Sequence, residues 1–242
     1  MRANRGLSEL RSISFEPNIM KYAEGSCLVK FGNTHVICTA SVEDKVPPFL
    51  RNKGMGWVTA EYSMLPRSTN TRIERESSKG KLSGRTQEIQ RLIGRALRAI
   101  IVPKKLGERQ IHIDCDVIQA DGGTRTSSIC GGYIALAIAC KKLIFERVIH
   151  QSPIIDSVAA ISCGIVDGTL MADLDYNEDS NAHVDANFVM TGAGKLVEVQ
   201  ATGEDGPFTN DHMNALMLMA SNAIKIITKK QAEVLAEVDF DQ

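Results

Sequence analysis

The sequence lacks an excess of charge of either sign. Its 242 residues carry 28 Lys and Arg against 29 Asp and Glu, which gives a formal net charge of −1. Because the chain is not a polycation, any binding of nucleic acid must use a local basic patch. Hydrophobic residues make up 43% and charged residues 24%. This is ordinary for a globular protein and allows one large domain or two small ones.

The sequence also lacks paired cysteines. No two of its six cysteines form a Cys-x-x-Cys motif, and most of them lie in apolar runs. This pattern predicts buried free thiols in a reducing compartment and argues against a zinc site. The cysteines are Cys27, Cys38, Cys115, Cys130, Cys140 and Cys163.

A third absence concerns membranes. Residues 1–6 contain no apolar signal core, and no run of 18 apolar residues is found elsewhere in the sequence. We therefore expect a soluble cytoplasmic protein without a membrane partner.

What the sequence does contain is a glycine-rich turn between two regular elements. Residues 110–118 have β-type composition, residues 119–128 read QADGGTRTSS, and an apolar run extends from Ile129 to about Phe145. This order predicts a strand, a turn and the start of a helix. Gly122 and Gly123 can adopt positive φ and let the backbone approach a ligand closely.

The start of the predicted helix has the chemistry of an anion site. Free N–H groups at a helix N-terminus bind anions, and Arg125 adds a forked cation. The stretch lacks the lysine of a Walker A loop and the three glycines of a dinucleotide-binding fingerprint. It therefore predicts either a phosphate pocket or ordinary turn and cap chemistry. Its candidate N-cap residues are Thr124, Thr126, Ser127 and Ser128.

A basic segment precedes this turn. The sequence predicts a strand at 13–16, a β-hairpin around Gly32-Asn33 and a strand at 56–62. Residues 66–85 then read PRSTNTRIERESSKGKLSGR, in which Glu74 and Glu76 are the only acids. A long irregular basic loop favours either nucleic-acid contact or a solvated surface. Its cations are Arg67, Arg72, Arg75, Lys79, Lys81 and Arg85.

Two helices are indicated around the turn. Residues 86–100 place apolar side chains at i, i+3 and i+4, and Pro103 marks the end of this helix. Arg85 lies at its start, where a guanidinium can meet an anion near the positive end of the helix dipole. The run after the glycine turn is apolar nearly all round, which predicts a helix buried between layers.

A second, similar half follows residue 150. We predict strands at 158–166, 169–174 and 184–190, a turn at Asp167-Gly168 and a helix at 210–227. Residues 58–64 and 184–190 share Val, Ala and Met at matching positions. The fold class we expect is α+β, with two pseudo-repeated βαβα-type halves (about 1–150 and 151–242) packed as a single domain over 1–242.

Acidic residues cluster in the second half. Asp185 lies on a predicted strand, and Asp179 lies in the turn before it. Such oxygen ligands suit a hard cation such as Mg²⁺, and carboxylates also serve in proton transfer, although a solvated acidic loop explains them equally. An acidic cluster, a phosphate-binding turn and arginines together are the groups that phosphoryl transfer needs. The cluster comprises Asp173, Asp175, Glu178, Asp179 and Asp185.

Long motifs in the chain resemble those of the ribonuclease PH family, phosphate-dependent exoribonucleases that trim the 3′ ends of transfer RNA. The resemblance runs from the N-terminus to about Lys230. The matching stretches are AEGS at 23–26, GWVTAEYSMLPR at 56–67, GRTQEIQRLIGRALR at 84–98, DCDVIQADGGTRT at 114–126 and EDS at 178–180.

The resemblance implies a reaction and its residues. Inorganic phosphate, not water, would attack the terminal phosphodiester of a precursor tRNA or another RNA 3′ end and release a nucleoside diphosphate. The reverse reaction would add nucleotides. Asp179 and Asp185 would serve a metal ion, Mg²⁺ or Mn²⁺, or the proton transfer. The other implied site residues are Arg85, Gly123, Thr124 and Arg125 for phosphate, and Arg67, Arg72 and Arg75 for RNA.

The resemblance also implies assembly into a homo-hexamer, a ring of three dimers. The chain departs from the family pattern at two places: it reads Ala3-Asn4-Arg5-Gly6 where Asp-Gly-Arg is usual, and Ser83-Gly84 where Gly-Gly is common. One alternative function is a non-catalytic RNA-guiding ring subunit of an exosome-like assembly. Another is a kinase or ATPase, against which the missing Walker lysine argues.

Overall fold

The computed structural model describes Arg2 and residues 5–240. Ala3 and Asn4, where the N-terminal motif departs from the family pattern, lie outside the described residues. Two β-sheets and three long helices build the fold. In chain order the elements are β1 (Ile13–Pro17), β2 (Gly25–Phe31), β3 (Thr34–Glu43), β4 (Trp57–Met64), α1 (Gly84–Arg98), α2 (Pro103–Leu106), β5 (Gln110–Gln119), α3 (Thr124–Phe145), β6 (Val158–Val166), β7 (Thr169–Ala172), α4 (Tyr176–Ser180), β8 (Ala182–Thr191), β9 (Leu196–Gly203) and α5 (Asn210–Ala236).

The first sheet has five strands in the order β1-β2-β3-β5-β4. Its neighbours are antiparallel except β4 and β5, which run parallel and are connected through α1. Side chains alternate along β5, so that Ile111, Ile113, Cys115 and Val117 are buried while the intervening residues are not. This period of two gives the sheet one apolar face, which the helices cover.

The second sheet is fully antiparallel, with the order β7-β6-β8-β9. All nine residues of β6 are buried, because α3 and α5 both pack against this strand. The turn between β6 and β7 has positive φ at both Asp167 and Gly168. The predicted hairpin is therefore confirmed, and so is the one at Gly32-Asn33, where β2 pairs with β3.

Helix α3 forms the centre of the molecule. It packs against β2 and β3 of the first sheet and β6 of the second, as well as against α1 and α5. By its length and mean hydropathy of 1.6 alone, this helix could cross a membrane, although polar and charged residues interrupt its apolar run. Since 78% of that apolar window is buried inside the fold, α3 has the properties of a core helix.

The start of α3 differs from the prediction. None of the four hydroxyl residues caps it: the N-cap is Gly123, and no side chain bonds to the first N–H groups. Thr126 and Ser128 instead donate to carbonyl oxygens one turn earlier, Thr126 Oγ1 to Gly123 O (2.9 Å) and Ser128 Oγ to Thr124 O (2.8 Å). The side chains satisfy carbonyl groups within the helix, and the N–H groups at its start stay free.

Further boundaries differ from the sequence-based ones. Strand β7 ends at Ala172 and not at residue 174, and α1 spans 84–98 and not 86–100. Asp179 lies in the short helix α4, not in a turn. Helix α5 continues to Ala236 rather than ending near Ile227. The matching heptapeptides at 58–64 and 184–190 both form strands, but β4 is a parallel edge strand and β8 an inner antiparallel strand. The repeated sequence therefore forms a strand in each half, but the two strands do not occupy equivalent positions in their sheets.

All six cysteines are free and buried, as expected. Burial raises the pKa of the Cys130 and Cys140 thiols to about 12. Thiols in this environment are neutral and serve as small apolar core groups.

Candidate active site

One cleft of about 1540 Å³ lies where the two sheets meet. The glycine turn before α3, the start of α1, helix α4 and strands β8 and β9 form its walls. Six of the residues predicted from the sequence line it: Arg85, Gly123, Thr124, Arg125, Asp179 and Asp185.

The wall formed by the start of α3 is rich in donors. Gly122 and Gly123 have φ of 74° and 67°, in the left-handed region that favours glycine. Because Gly123 offers no side-chain cap, the first N–H groups of the helix have no side-chain partner. Tyr62 donates its hydroxyl to Thr124 Oγ1 at 2.9 Å, which fixes the first helical residue. Free N–H groups at a helix start create an anion site.

Two arginines lie beside the start of α3, and they differ in whether their guanidinium groups already have partners. Arg125 donates Nη1 to Gln200 Oε1 (3.1 Å) and lies 3.7 Å from Glu88 Oε1. Arg85 is exposed and has neither hydrogen bond nor ion pair among residues 5–240 and Arg2. One guanidinium is therefore positioned in advance, and the other is free to engage an anion that enters the cleft.

The opposite wall, helix α4, is held firmly. Asp175 and Glu178 form a capping box, in which each side chain accepts a hydrogen bond from the other residue's backbone N–H. Glu178 is also paired with Arg2 (2.5 Å) and Arg5 (3.2 Å). Burial alone would raise the pKa of Glu178, but the hydrogen bonds from Arg2 and from the Asp175 N–H outweigh it and lower the pKa.

Asp173 ties this wall to the N-terminal segment. It is 1% exposed, has φ of 55°, and accepts from Arg5 Nη1 (3.0 Å) and from Arg11 through its backbone N–H, Nε and Nη2 (2.7–3.1 Å). Arg11 Nη1 also donates to Asp121 O (2.5 Å) in the glycine turn. A single guanidinium thus joins the two walls of the cleft.

The glycine turn and α4 are in direct contact at Gly122. A Cβ atom on this residue would lie 2.6 Å from the carbonyl carbon of Asp175 and 2.8 Å from Tyr176 N. The site needs glycine here for close approach as well as for φ. This contact fixes the spacing between the start of α3 and Asp179.

The two carboxylates have perturbed acidity. Asp185 Oδ1 is buried without a hydrogen-bond partner in the described structure, and Oδ2 accepts from Asn187 at 3.4 Å. Burial, followed by the charge of Asp179, raises the pKa of Asp185 to about 6. Burial also raises the pKa of Asp179, against the opposing charges of Arg125 and Arg85.

These carboxylates fit a hard divalent cation. An unpartnered buried carboxylate oxygen beside a second acid is the donor set that Mg²⁺ uses when substrate phosphates complete its coordination. Among the described residues, no group of three or more His, Cys, Asp or Glu side chains could hold a metal by itself. The site therefore suits a metal that is bound together with substrate and not a permanent structural ion.

The structure does not bring the three arginines predicted for RNA contact into this cleft. Residues 69–71 of the basic loop line it. Arg67 is exposed and donates to Asn70 O (3.0 Å). Arg72 is exposed beside it, and Arg75 lines a second cavity of about 840 Å³ together with Asp116. Residues 69–71 thus border the cleft, while Arg67, Arg72 and Arg75 do not line it.

Several residues of the site were not found from the sequence. Glu88 had a signal, since it lies three residues after Arg85 and therefore on the same face of α1. Gln200 on β9 and Arg11 had none, because their partners lie 75 and 162 positions away.

Family models match both halves of the chain. Residues 9–142 match domain 1 of the 3′ exoribonuclease family, and residues 156–223 match its domain 2. The chain belongs to the 3′ exoribonuclease family. Curated relatives of this family member are named ribonuclease PH. That of Cereibacter sphaeroides is 56% identical over 96% of this chain and 98% of its own length, and that of Bacillus velezensis is 59% identical over 95% and 94%.

Solved structures share the fold at much lower identity. Rice Rrp46 superposes with a TM-score of 0.77 at 18% identity, covering 96% of this chain and 98% of its own. A chain of the Archaeoglobus fulgidus exosome with RNA bound to the active site gives a TM-score of 0.78 at 19% identity, covering 93% and 90%. These likenesses confirm the α+β fold class of this family member.

Proposed function

We propose that this chain is a phosphate-dependent 3′→5′ exoribonuclease that trims extra nucleotides from precursor tRNA and releases nucleoside diphosphates. In reverse, the same site adds nucleotides to an RNA 3′ end. The observation that supports this function best is the cleft itself, where the uncapped start of α3 and two arginines are brought together with the partly buried Asp185 and the exposed Asp179. Phosphoryl transfer depends mainly on positioning and charge neutralisation, which this arrangement supplies.

In the forward reaction an oxygen of inorganic phosphate attacks the phosphorus of the terminal 3′,5′-phosphodiester. The new bond joins it to the 5′-phosphate of the last nucleotide, and the bond to the 3′ oxygen of the preceding nucleotide breaks. That oxygen takes up a proton and leaves as a 3′ hydroxyl. Since an anion attacks a polyanion, Arg85, Arg125 and the N–H groups that follow Gly123 hold the attacking phosphate.

We assign the two aspartates to the leaving 3′ oxygen or to a metal ion. A carboxyl group whose pKa is raised to about 6 is partly protonated near neutral pH, so Asp185 can give its proton to the leaving 3′ oxygen. In the alternative role, Asp179 and Asp185 would both be ionised and would hold Mg²⁺ or Mn²⁺, which would neutralise charge on the phosphate oxygens. Asp185 would then not be the proton donor.

Positive charge beside the cleft serves the RNA strand. Arg67, Arg72 and Arg75 contact the phosphates of the RNA behind its 3′ end, with residues 69–71 at the entrance to the cleft. Such contacts position the strand without reading its sequence.

The assembly we propose is a homo-hexamer of three dimers, in the cytoplasm, each chain forming one domain of two halves that divide near residue 150. Contacts through Asp173, Arg5 and Arg11, which join the N-terminal segment to the second sheet, support a single folding unit. Sedimentation should give six times the chain mass of 26.4 kDa, and unfolding in urea should follow one transition. A monomer or two separate transitions would contradict this assembly.

The deciding experiment uses a tRNA with a short 3′ extension, incubated with the purified protein and Mg²⁺ with and without inorganic phosphate. Shortening only with phosphate, with nucleoside diphosphate as product, supports phosphorolysis. Shortening without phosphate, with nucleoside monophosphate as product, would mean hydrolysis and would contradict the roles of Arg85 and Arg125. Tight RNA binding without any shortening would favour a non-catalytic, exosome-like ring subunit.

A further inference from the structure

A second group of aromatic and basic side chains lies at the end of β4 away from the cleft. β4 begins at Trp57 and ends at Met64, which lines the cleft. Seven steps of extended strand place these residues roughly 23 Å apart. The group is therefore separate from the site described above.

Its aromatic part is a fixed pair. Phe49 is 56% exposed, and its ring lies perpendicular to that of Trp57 with centroids 5.3 Å apart. On Trp57, the guanidinium carbon of Arg98 lies 4.4 Å from the ring centroid, and Arg98 Nη1 donates to Val58 O at 2.9 Å. Arg98 and the strand therefore hold Trp57 in place, and Trp57 supports the exposed ring of Phe49.

Two basic segments surround this pair. Residues 45–57 contain three cations and no acid, and residues 98–109 contain four cations and one acid, in a chain whose net charge is −1. Backbone hydrogen bonds join the two segments, Gly56 N to Pro103 O and Trp57 N to Arg109 O, both at 2.9 Å. The two basic segments therefore lie side by side, and Glu108 is the one acid within them.

Most of this charge is not neutralised. Lys45 is paired with Glu43, and Arg109 with Asp44. Arg98 stacks on Trp57. The other four cations of the two segments form no ion pair within the described part of the chain. We refer to these four cations together with the aromatic pair as the Phe49 surface. It consists of Phe49, Trp57, Arg51, Lys53, Lys104 and Lys105.

We propose that the Phe49 surface binds the body of the RNA substrate, upstream of the 3′ end that occupies the cleft. The inference rests on the proposed function, since it takes RNA as the substrate. An exposed aromatic ring stacks on a base, and stacking contributes about 1–3 kcal/mol per base. Unpaired lysines and arginines bind phosphates and release counterions.

The same features argue against a second copy of the chain as the occupant. A symmetric contact would place the cations of one Phe49 surface against those of the other, and this repulsion would have to be overcome. One exposed ring also provides little of the apolar area that a stable protein interface buries. A polyanion with stacking bases fits both the charge and the ring.

The chain offers a direct reporter, because Trp57 is its one tryptophan. Without phosphate, so that no RNA is consumed, the extended tRNA is titrated into the protein while tryptophan emission is followed. We expect emission to change with tRNA and to stay constant with a short oligonucleotide that fills the cleft alone. Emission unchanged by tRNA at concentrations that bind fully would overturn the proposal.

Variants separate the surface from the cleft. Phe49→Ala should weaken binding of the extended tRNA about 5- to 150-fold, as loss of one stacked base predicts, and leave kcat/KM for the short oligonucleotide unchanged. Lys53→Ala and Lys104→Ala should each lower the salt dependence of tRNA binding by about one phosphate contact. The control is Phe145→Ala, since Phe145 is 55% exposed and stacks on Phe240.

The remaining outcomes of these experiments distinguish a failure of this inference from a failure of the proposed function. Equal tRNA affinity of Phe49→Ala and Phe145→Ala would overturn the inference, and so would a change of oligomeric mass in Phe49→Ala, which would make the surface an interface between copies. If the unaltered protein shortened neither RNA with phosphate, the proposed function would fail. The binding titration would still test the Phe49 surface by itself.

Discussion

The starts of α3 and α4, which both border the cleft, are built in opposite ways. Helix α4 begins with a capping box and is tied further by Arg2, Arg5 and the Asp173 network. Helix α3 begins at a bare glycine, with its first N–H groups left without a side-chain partner. The protein satisfies the donors of one helix internally and leaves those of the other for a ligand. The fixed start positions Asp179, and the open start offers free N–H groups to an anion.

The largest effect on stability should come from breaking the ion pairs that hold helix α4 and the N-terminal segment together. Asp173→Asn leaves Arg5 and Arg11 without their shared buried carboxylate, and breaking a buried ion pair in this way costs about 3–5 kcal/mol. Urea unfolding should detect the loss. Glu16→Gln is the control, because the Glu16–Lys30 pair is partly exposed and such pairs contribute about 1 kcal/mol or less. Equal stability of the two variants would contradict the structural role of Asp173.

The next largest effect, on the rate of phosphorolysis, should come from removing positive charge beside the start of α3. Arg125→Ala should lower phosphorolysis about 10²- to 10³-fold, as loss of one group that stabilises transition-state charge does, while stability changes little. Arg85→Ala should act in the same direction, and both should raise the phosphate concentration needed for half-maximal rate. Steady-state kinetics at varied phosphate, with RNA binding measured separately, tests this. Unchanged phosphate dependence in both variants would contradict the assignment.

A third change would force the two helix starts apart. Gly122→Ala places a methyl group 2.6 Å from the Asp175 backbone and at positive φ, which should cost about 1–3 kcal/mol. It should also lower kcat by separating Arg125 from Asp179. Gly84→Ala is the matched control, since nothing lies within 4 Å of a Cβ there and no positive φ is involved. Similar kcat values for the two variants would show that this spacing does not matter.

The smallest effect should be seen at the start of α1, which also borders the cleft but has a cap. Ser83 accepts from Thr86 N at 3.1 Å. Ser83→Ala should cost about 1 kcal/mol of stability and leave the phosphate requirement unchanged, and Ser83→Asn should restore the loss. Thermal unfolding together with phosphate titration distinguishes a capped from a ligand-binding helix start. A raised phosphate requirement in Ser83→Ala would mean that the N–H groups at the start of α1, and not only the Arg85 side chain, bind the anion.

Local features were predictable from the sequence, and long-range ones were not. The hairpins at Gly32-Asn33 and Asp167-Gly168 depend on adjacent residues, so the sequence was sufficient to predict them. The apolar pattern identified α3 as a buried helix, but not its first residue. That start depends on the left-handed conformation of Gly123 beside a turn that packs on α4, about 50 positions later in the chain.

The site shows the same limit. Arg85, Arg125, Asp179 and Asp185 were identified by motif, and the structure places them in one cleft, although their roles stay predictions. The network that positions them was not found, because Arg11 and Asp173 are 162 positions apart and no pattern pairs them. The hydroxyl side chains after Gly123 were candidates for the N-cap, and none of them is the cap, because residues at the cap and residues inside the first turn have similar composition.

The contact between Arg5 and Asp173 also affects how the chain is made. The two residues are separated by 168 positions, so the N-terminal segment leaves the ribosome long before its partner exists. At about 5–20 residues per second, the delay is roughly 8–34 s. During that time the first sheet can form, but Arg5 and Arg11 cannot reach their carboxylate. The cleft is therefore among the last parts of the protein to be completed during synthesis, because a nascent chain that ends before Asp185 lacks one of its carboxylates and all of β9.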